Sequence, residues 1–167
     1  MTAPNTPIRD AMLREGPSGL VLPLPSPMLA QLPERLQGKP MQWYVNPVNV
    51  LAVAATKSAP GSFQTDRTHA FAAWFGVVSI RSSDDQTDHP TDPATVSMTD
   101  SQNNQYNPQA FPIYLTSAFG LTASLPAVWP APLVVDPNNG INLNVTNLHA
   151  ANTNNYRFAF IGQLITV

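Results

Sequence analysis

The stretch Asp136-Pro137-Asn138-Asn139-Gly140-Ile141-Asn142-Leu143-Asn144-Val145-Thr146 decides the fold class. Pro137 fixes its own φ, while Asn138, Asn139 and Gly140 accept positive φ, so the first five residues read as a turn. From there Ile141, Leu143 and Val145 alternate with Asn142, Asn144 and Thr146. A period of two puts apolar groups on one face of a sheet and short polar groups on the other. After a polar loop from His149 to Asn155, Tyr156, Phe158 and Phe160 alternate with Arg157, Ala159 and Ile161 until Gly162 interrupts the run. A domain that closes on two such strands is most simply a β-sandwich.

The rest of the chain agrees. Trp43 to Thr56 reads as a strand, with Pro47 confining its start to an edge or a bulge. Phe63 to Arg81 is β-leaning throughout, with Phe71, Ala73 and Phe75 on one parity and Trp74, assigned to the core, on the other. Thr95 to Met98 is a short strand between two loops, Asp84 to Pro93 and Ser101 to Gln105. Phe111 to Leu115 is a strand entered beside Pro112, and Thr116 to Pro132 an apolar connection broken by prolines. Six to eight short strands with almost no helical periodicity argue for an all-β sandwich or barrel, and with the paired closing strands the expectation is an antiparallel β-sandwich over residues 41–167.

Residues 1–40 differ. They hold Pro4, Pro7, Pro17, Pro23, Pro25, Pro27, Pro33 and Pro40, eight of the 18 prolines in the chain. Prolines at this density exclude a sheet interior and favour extended backbone, so an extended proline-rich N-terminal arm is expected. It has room for one short helix, with Thr6 as N-cap, Pro7 at the first helical position, Ile8, Ala11 and Met12 on one face, and Gly16-Pro17 as the stop. Leu20-Val21-Leu22-Pro23-Leu24-Pro25 is apolar and already extended, and loses little further entropy on docking to its own domain or to a neighbouring subunit. The candidate partner-binding residues are Ile8, Met12, Leu13, Leu20, Leu22, Leu24 and, on the proline-rich connection, Trp129.

Only 11% of the 167 residues are charged, against about 25% in an average soluble domain. Hydrophobic residues make up an ordinary 43%, so Asn, Gln, Ser and Thr supply the polar surface. Such a surface repels its neighbours weakly, which suits dense packing in an assembly. Net charge is −2, and the Arg and Lys residues are dispersed, which disfavours direct nucleic-acid binding. Without cysteine there are no disulfides, thiolate nucleophiles or zinc–thiolate sites. No apolar run approaches the ~18 residues of a membrane span, and Arg9, Asp10, Arg14 and Glu15 break any signal-like start, so neither is expected.

Reacting groups are sparse. Asp84, Asp85, Asp88 and Asp92 with His89 form the one acidic cluster. Close carboxylates are able to hold calcium, but the spacing matches no known loop pattern, and a solvated loop is the favoured interpretation. His69, His89 and His149 are isolated from one another in sequence, no serine sits in a nucleophile elbow, and no pair of carboxylates or glycine-rich phosphate loop stands out. The chain is expected to be no enzyme and to need no cofactor or metal.

Phe111-Pro112-Ile113-Tyr114-Leu115, then Pro132-Leu133-Val134-Val135-Asp136-Pro137-Asn138-Asn139-Gly140-Ile141, then Val145-Thr146-Asn147 and Tyr156-Arg157-Phe158-Ala159-Phe160-Ile161-Gly162 form a proline-led strand, a Pro-Asn turn, an Asn-ended strand and an aromatic strand. Over residues 63–167 this order resembles the small β-sandwich structural proteins of tailed-bacteriophage virions, most nearly the capsid cement or decoration proteins. The resemblance implies a jelly-roll-like sandwich on the outside of an icosahedral head, made in the host cytoplasm. It would bridge major capsid protein subunits and neighbouring copies of itself, as a homo-oligomer within the virion, with no catalytic residues to carry over. A neck, collar or tail structural protein is the alternative within that biology. A lectin-like module binding glycans through Trp129 and the Asn-rich loops is the alternative outside it.

Overall fold

A computed structural model describes residues 26–84, 86–100, 112–121 and 125–167. Among them are eight strands: β1 (Met41–Val53), β2 (Ser58–Gln64), β3 (His69–Ser82), β4 (Ala94–Asp100), β5 (Ile113–Tyr114), β6 (Ala127–Val135), β7 (Gly140–Asn147) and β8 (Asn154–Thr166). They form two four-stranded sheets, ordered β1-β8-β3-β6 and β2-β7-β4-β5, with every pairing antiparallel. The chain behaves as one long hairpin in which β1 to β4 return as β8 to β5, rolled so that successive rungs fall in opposite sheets. That is a jelly roll. The antiparallel sandwich expected from the sequence is therefore present.

The alternating residues sit as predicted. Ile141, Leu143 and Val145 are buried between the sheets, whereas Asn142 and Asn144 are exposed. Tyr156, Phe158 and Phe160 face them from β8, joined by Phe63, Phe71 and Phe119. Phe119 packs at 5.0 Å from Phe158 and 5.5 Å from Phe160, both edge-on, a favoured aromatic geometry. Asn138 takes the positive φ (59°) that the turn before β7 needs. β7 and β8, neighbours in sequence, lie in opposite sheets, each as an inner strand.

Three strand boundaries differ from the sequence expectations. Phe63 to Arg81 is two strands, because the chain turns at Thr65 to Thr68, where the Asp66 carboxylate accepts the Thr68 N–H at 2.8 Å. That bond, with the His69 side chain beside it, holds the Asp66 carboxyl down at about 2. Of the strand expected over Phe111 to Leu115, the described residues form Ile113–Tyr114, followed by a helical turn at Leu115–Ala118. The proline-broken connection ends in a real strand, β6, which tolerates Pro130 and Pro132 because it is a sheet edge. Prolines serve the other long edges too, Pro47 in β1 and Pro60 in β2, while β5 is only two residues long. Each device removes ladder donors from an edge that would otherwise pair with another chain.

A bulge in β3 changes parity. Ala73 lies opposite Gly162 and Phe75 opposite Ile161, so Trp74 is an extra residue on β3. Phe71 and Ala73 point between the sheets, but Trp74 and Phe75 both pack in a second cluster on the outer face of the β1-β8-β3-β6 sheet. Trp74 is fully buried, as expected of a core residue. Phe75 does not share the face of Phe71 and Ala73, because the bulge reverses the alternation that their spacing implied.

Residues upstream of β1 cover this second cluster. Met28 and Leu29 from the helical turn Ser26–Leu29, with buried Leu32 and Leu36, lie over Trp43, Ala70, Ala72, Trp74 and Ile165. Leu32 and Leu36 each contribute about 1.5–3 kcal/mol by leaving water. Of the expected arm over residues 1–40, the part from Met28 to Leu36 is thus seated on its own sandwich. The helix expected between Thr6 and Gly16 lies outside the described residues.

Candidate functional site

The acidic loop is built into the fold. The His89 N–H donates to the Ile80 carbonyl at 2.9 Å, and Thr87 Oγ1 meets His89 Nε2 at 2.8 Å. Asp92 is 9% exposed; its Oδ2 accepts from Asn154 Nδ2 at 2.8 Å, and its Oδ1 lies 3.6 Å from His89 Nδ1. His149 Nδ1 accepts the N–H groups of Ala151 (3.1 Å) and Asn152 (2.9 Å), which leaves the ring proton on Nε2 and fixes the loop before β8. Asp84 and Asp88 are exposed, Asp88 lying 3.5 Å from Arg81, and Asp85 lies outside the described residues. His69 bonds Asp66 at the start of β3, whereas His89 is tied to Ile80 near its other end, ~35 Å away at strand rise. Among the described residues no His, Asp and Glu side chains gather as a metal site. The bonds of Thr87, His89, Asp92 and His149 hold one end of the sandwich together, and the Asp66–His69 contact lies at the other.

Asn147 does the same work between strands. Fully buried, it donates through Nδ2 to the carbonyls of Val53 (2.9 Å) and Asn152 (2.8 Å), and its Oδ1 accepts the His149 N–H at 3.0 Å. The Asn that ends β7 thereby joins the end of β1 to the loop entering β8.

Trp129 is half-buried. Its indole N–H donates to the Ala118 carbonyl at 2.9 Å, and its ring packs edge-on to Phe119 at 5.7 Å and beside Phe160 at 5.9 Å. The absence of a side chain at Gly76 makes room for it: a Cβ there would stand 2.6 Å from the Trp129 ring and 2.7 Å from Phe119. Trp129 thus spends its polar group and much of its apolar surface on its own domain. The other candidate contact residues, Ile8, Met12, Leu13, Leu20, Leu22 and Leu24, lie outside the described residues.

One apolar surface was invisible in the sequence. Across the outer face of the β1-β8-β3-β6 sheet, Val45 stands opposite Ile161, Ile161 opposite Phe75, and Phe75 opposite Val128. One apolar side chain from each strand therefore lies in a single row, followed by Pro47, Ala159 and Val77. Asn49, Arg157 and Ser79 then end the strip with polar groups. Phe75 and Ile161 touch the covered cluster, but Val45 is 45% and Val128 59% exposed. Only the strand register reveals this row. The signal for its cover was legible: Met28, Leu29, Leu32 and Leu36 recur at near-helical spacing.

No protein-family model matches the chain, and no curated protein matches it.

Proposed function

We propose that this protein is a non-enzymatic assembly component, a capsid cement or decoration protein of a tailed-bacteriophage head. The observation that carries the proposal is the fastened arm. Leu32 and Leu36 pin the chain to an outer face of the jelly roll, and Arg35 adds an ion pair in which its Nη2 donates to both Asp136 carboxylate oxygens, at 2.7 and 2.8 Å. The chain that precedes Ser26 therefore starts from a fixed place, and residues 1–19 alone have an extended reach on the order of 60 Å, a length that suits contact with a neighbouring subunit. Low charge and an amide-rich surface support the same role, since such contacts depend little on salt and many modest ones accumulate over a lattice. Jelly rolls also occur in viral capsid and lectin domains, an analogy of fold alone. The sugar-binding alternative is weakened by Trp129, whose indole N–H is already bonded within the domain.

Cosedimentation with heads assembled without this protein tests the role. The full chain is expected to bind and to spread over the whole head in electron micrographs. A chain lacking residues 1–19 is expected to keep its circular dichroism and lose head binding. No binding by the full chain, or a single ring at the neck, would overturn the cement role; undiminished binding by the truncated chain would overturn the bridging arm.

A further inference from the structure

We infer that the row Val45–Ile161–Phe75–Val128, half-buried at its centre and exposed at both ends, is the seat of Leu20-Val21-Leu22-Pro23-Leu24-Pro25 of the same chain. The cover already present on this face belongs to the residues immediately downstream: Met28 and Leu29 join a cluster that reaches Phe75 and Ile161, both members of the row. The sheet is crossed from β1 to β6 in three inter-strand spacings, ~14 Å. Five extended residues span ~16 Å, so Leu20 to Leu24 matches the row in length. At three residues per turn the sides of such a backbone carry Leu20 with Pro23, Val21 with Leu24, and Leu22 with Pro25, so every side it turns to the row is apolar. Pro23 and Pro25 donate no backbone N–H, so the segment has fewer donors to leave unsatisfied against an apolar face. The polar row of Asn49, Arg157 and Ser79 marks where the seat ends.

The same chain is favoured over a second copy by tethering. Only Pro25, Ser26 and Pro27 separate Leu24 from Met28, and so short a connection gives the segment an effective concentration in the millimolar range. The consequence divides the arm in two. Leu20, Leu22 and Leu24 complete the domain's own outer layer, and Ile8, Met12 and Leu13 are left as the part that reaches a partner. The inference concerns the isolated chain, so its failure is distinguishable from failure of the cement role, which is read on heads.

The chain has no cysteine, so introduced pairs report cleanly. Leu22→Cys is combined with Val45→Cys, with Val128→Cys, or with Asn144→Cys on the opposite sheet as control; all three acceptor sites are exposed. Dilute protein is oxidised and resolved on non-reducing gels. The expected result is an intramolecular crosslink for at least one of the first two pairs, several-fold faster than for the control and independent of protein concentration. A crosslink predominantly between chains would overturn the inference in favour of arm exchange between copies. Rates no faster than the control would overturn it outright.

Discussion

Gly162 of β8 lies so close to Ala72 of β3 that a Cβ at 162 would overlap the Ala72 carbonyl oxygen and stand 2.6 Å from Ala73 Cα. The contact occurs where β3 takes in the extra residue Trp74. A bulge crowds its partner strand, and here the crowding atoms are backbone, which has nowhere to move.

Gly162→Ala is therefore expected to cost about 3 kcal/mol, at the upper end for overpacking, read as a lowered urea midpoint. Gly38→Ala is the comparison. Gly38 has a positive φ of 71° but open space around its Cβ position, so its cost is conformational and about 1 kcal/mol. Equal costs at the two sites would contradict the close contact across the bulge.

Arg35 and Leu36 are adjacent in sequence and unequal in energy. The Arg35–Asp136 pair is solvent-exposed, so Arg35→Ala is expected to cost under about 1 kcal/mol, and less as salt is raised. Leu36 is buried against the Trp43 and Trp74 cluster, and Leu36→Ala is expected to cost about 2–5 kcal/mol. Urea melts at low and high salt separate the two, and a larger loss for Arg35→Ala would mean that the ion pair, not the apolar layer, fastens the cover.

Leu143 and Asn144 test the register of β7. Leu143→Asp buries a carboxylate between the sheets and is expected to unfold the domain, whereas Asn144→Asp, on the exposed face, is expected to change stability by under about 0.5 kcal/mol. Circular dichroism and thermal melts decide it. A shift of one residue in the strand would invert both outcomes.

Tyr156 gives a pH signature. Burial pushes its hydroxyl up from 10.0 to about 12, with the Asp92 charge adding to the rise. The neutral form is thus favoured in the folded state, and the associated stability is complete below pH 10 and lost as pH rises from 10 to about 12. The Asn154 side chain beside the hydroxyl offsets part of the rise, but no hydrogen bond of ordinary length and angle reaches the hydroxyl among the described residues. Tyr156→Phe is therefore expected to fold with stability within about 1 kcal/mol of the parent at pH 7, and to flatten the decline above pH 10. A loss of several kcal/mol at pH 7 would show that the hydroxyl is bonded.

The sequence by itself determined what local periodicity encodes. Ile141, Leu143 and Val145 had to share a face, as did Tyr156, Phe158 and Phe160, and the Asp136 to Gly140 run had to turn, because side-chain alternation and φ preference are properties of a few consecutive residues. Only the tertiary structure decided that β7 and β8 separate into opposite sheets, that Phe75 leaves the face of Phe71 at the Trp74 bulge, and that Trp129 turns inward to the space left by Gly76. Only it aligned Val45, Ile161, Phe75 and Val128, residues from four strands scattered over the chain, into one apolar row beside the cover formed by Met28 to Leu36. A register joins residues far apart in sequence, and a bulge shifts every residue beyond it to the other face. Both are set by the combined packing of two sheets rather than by any one strand.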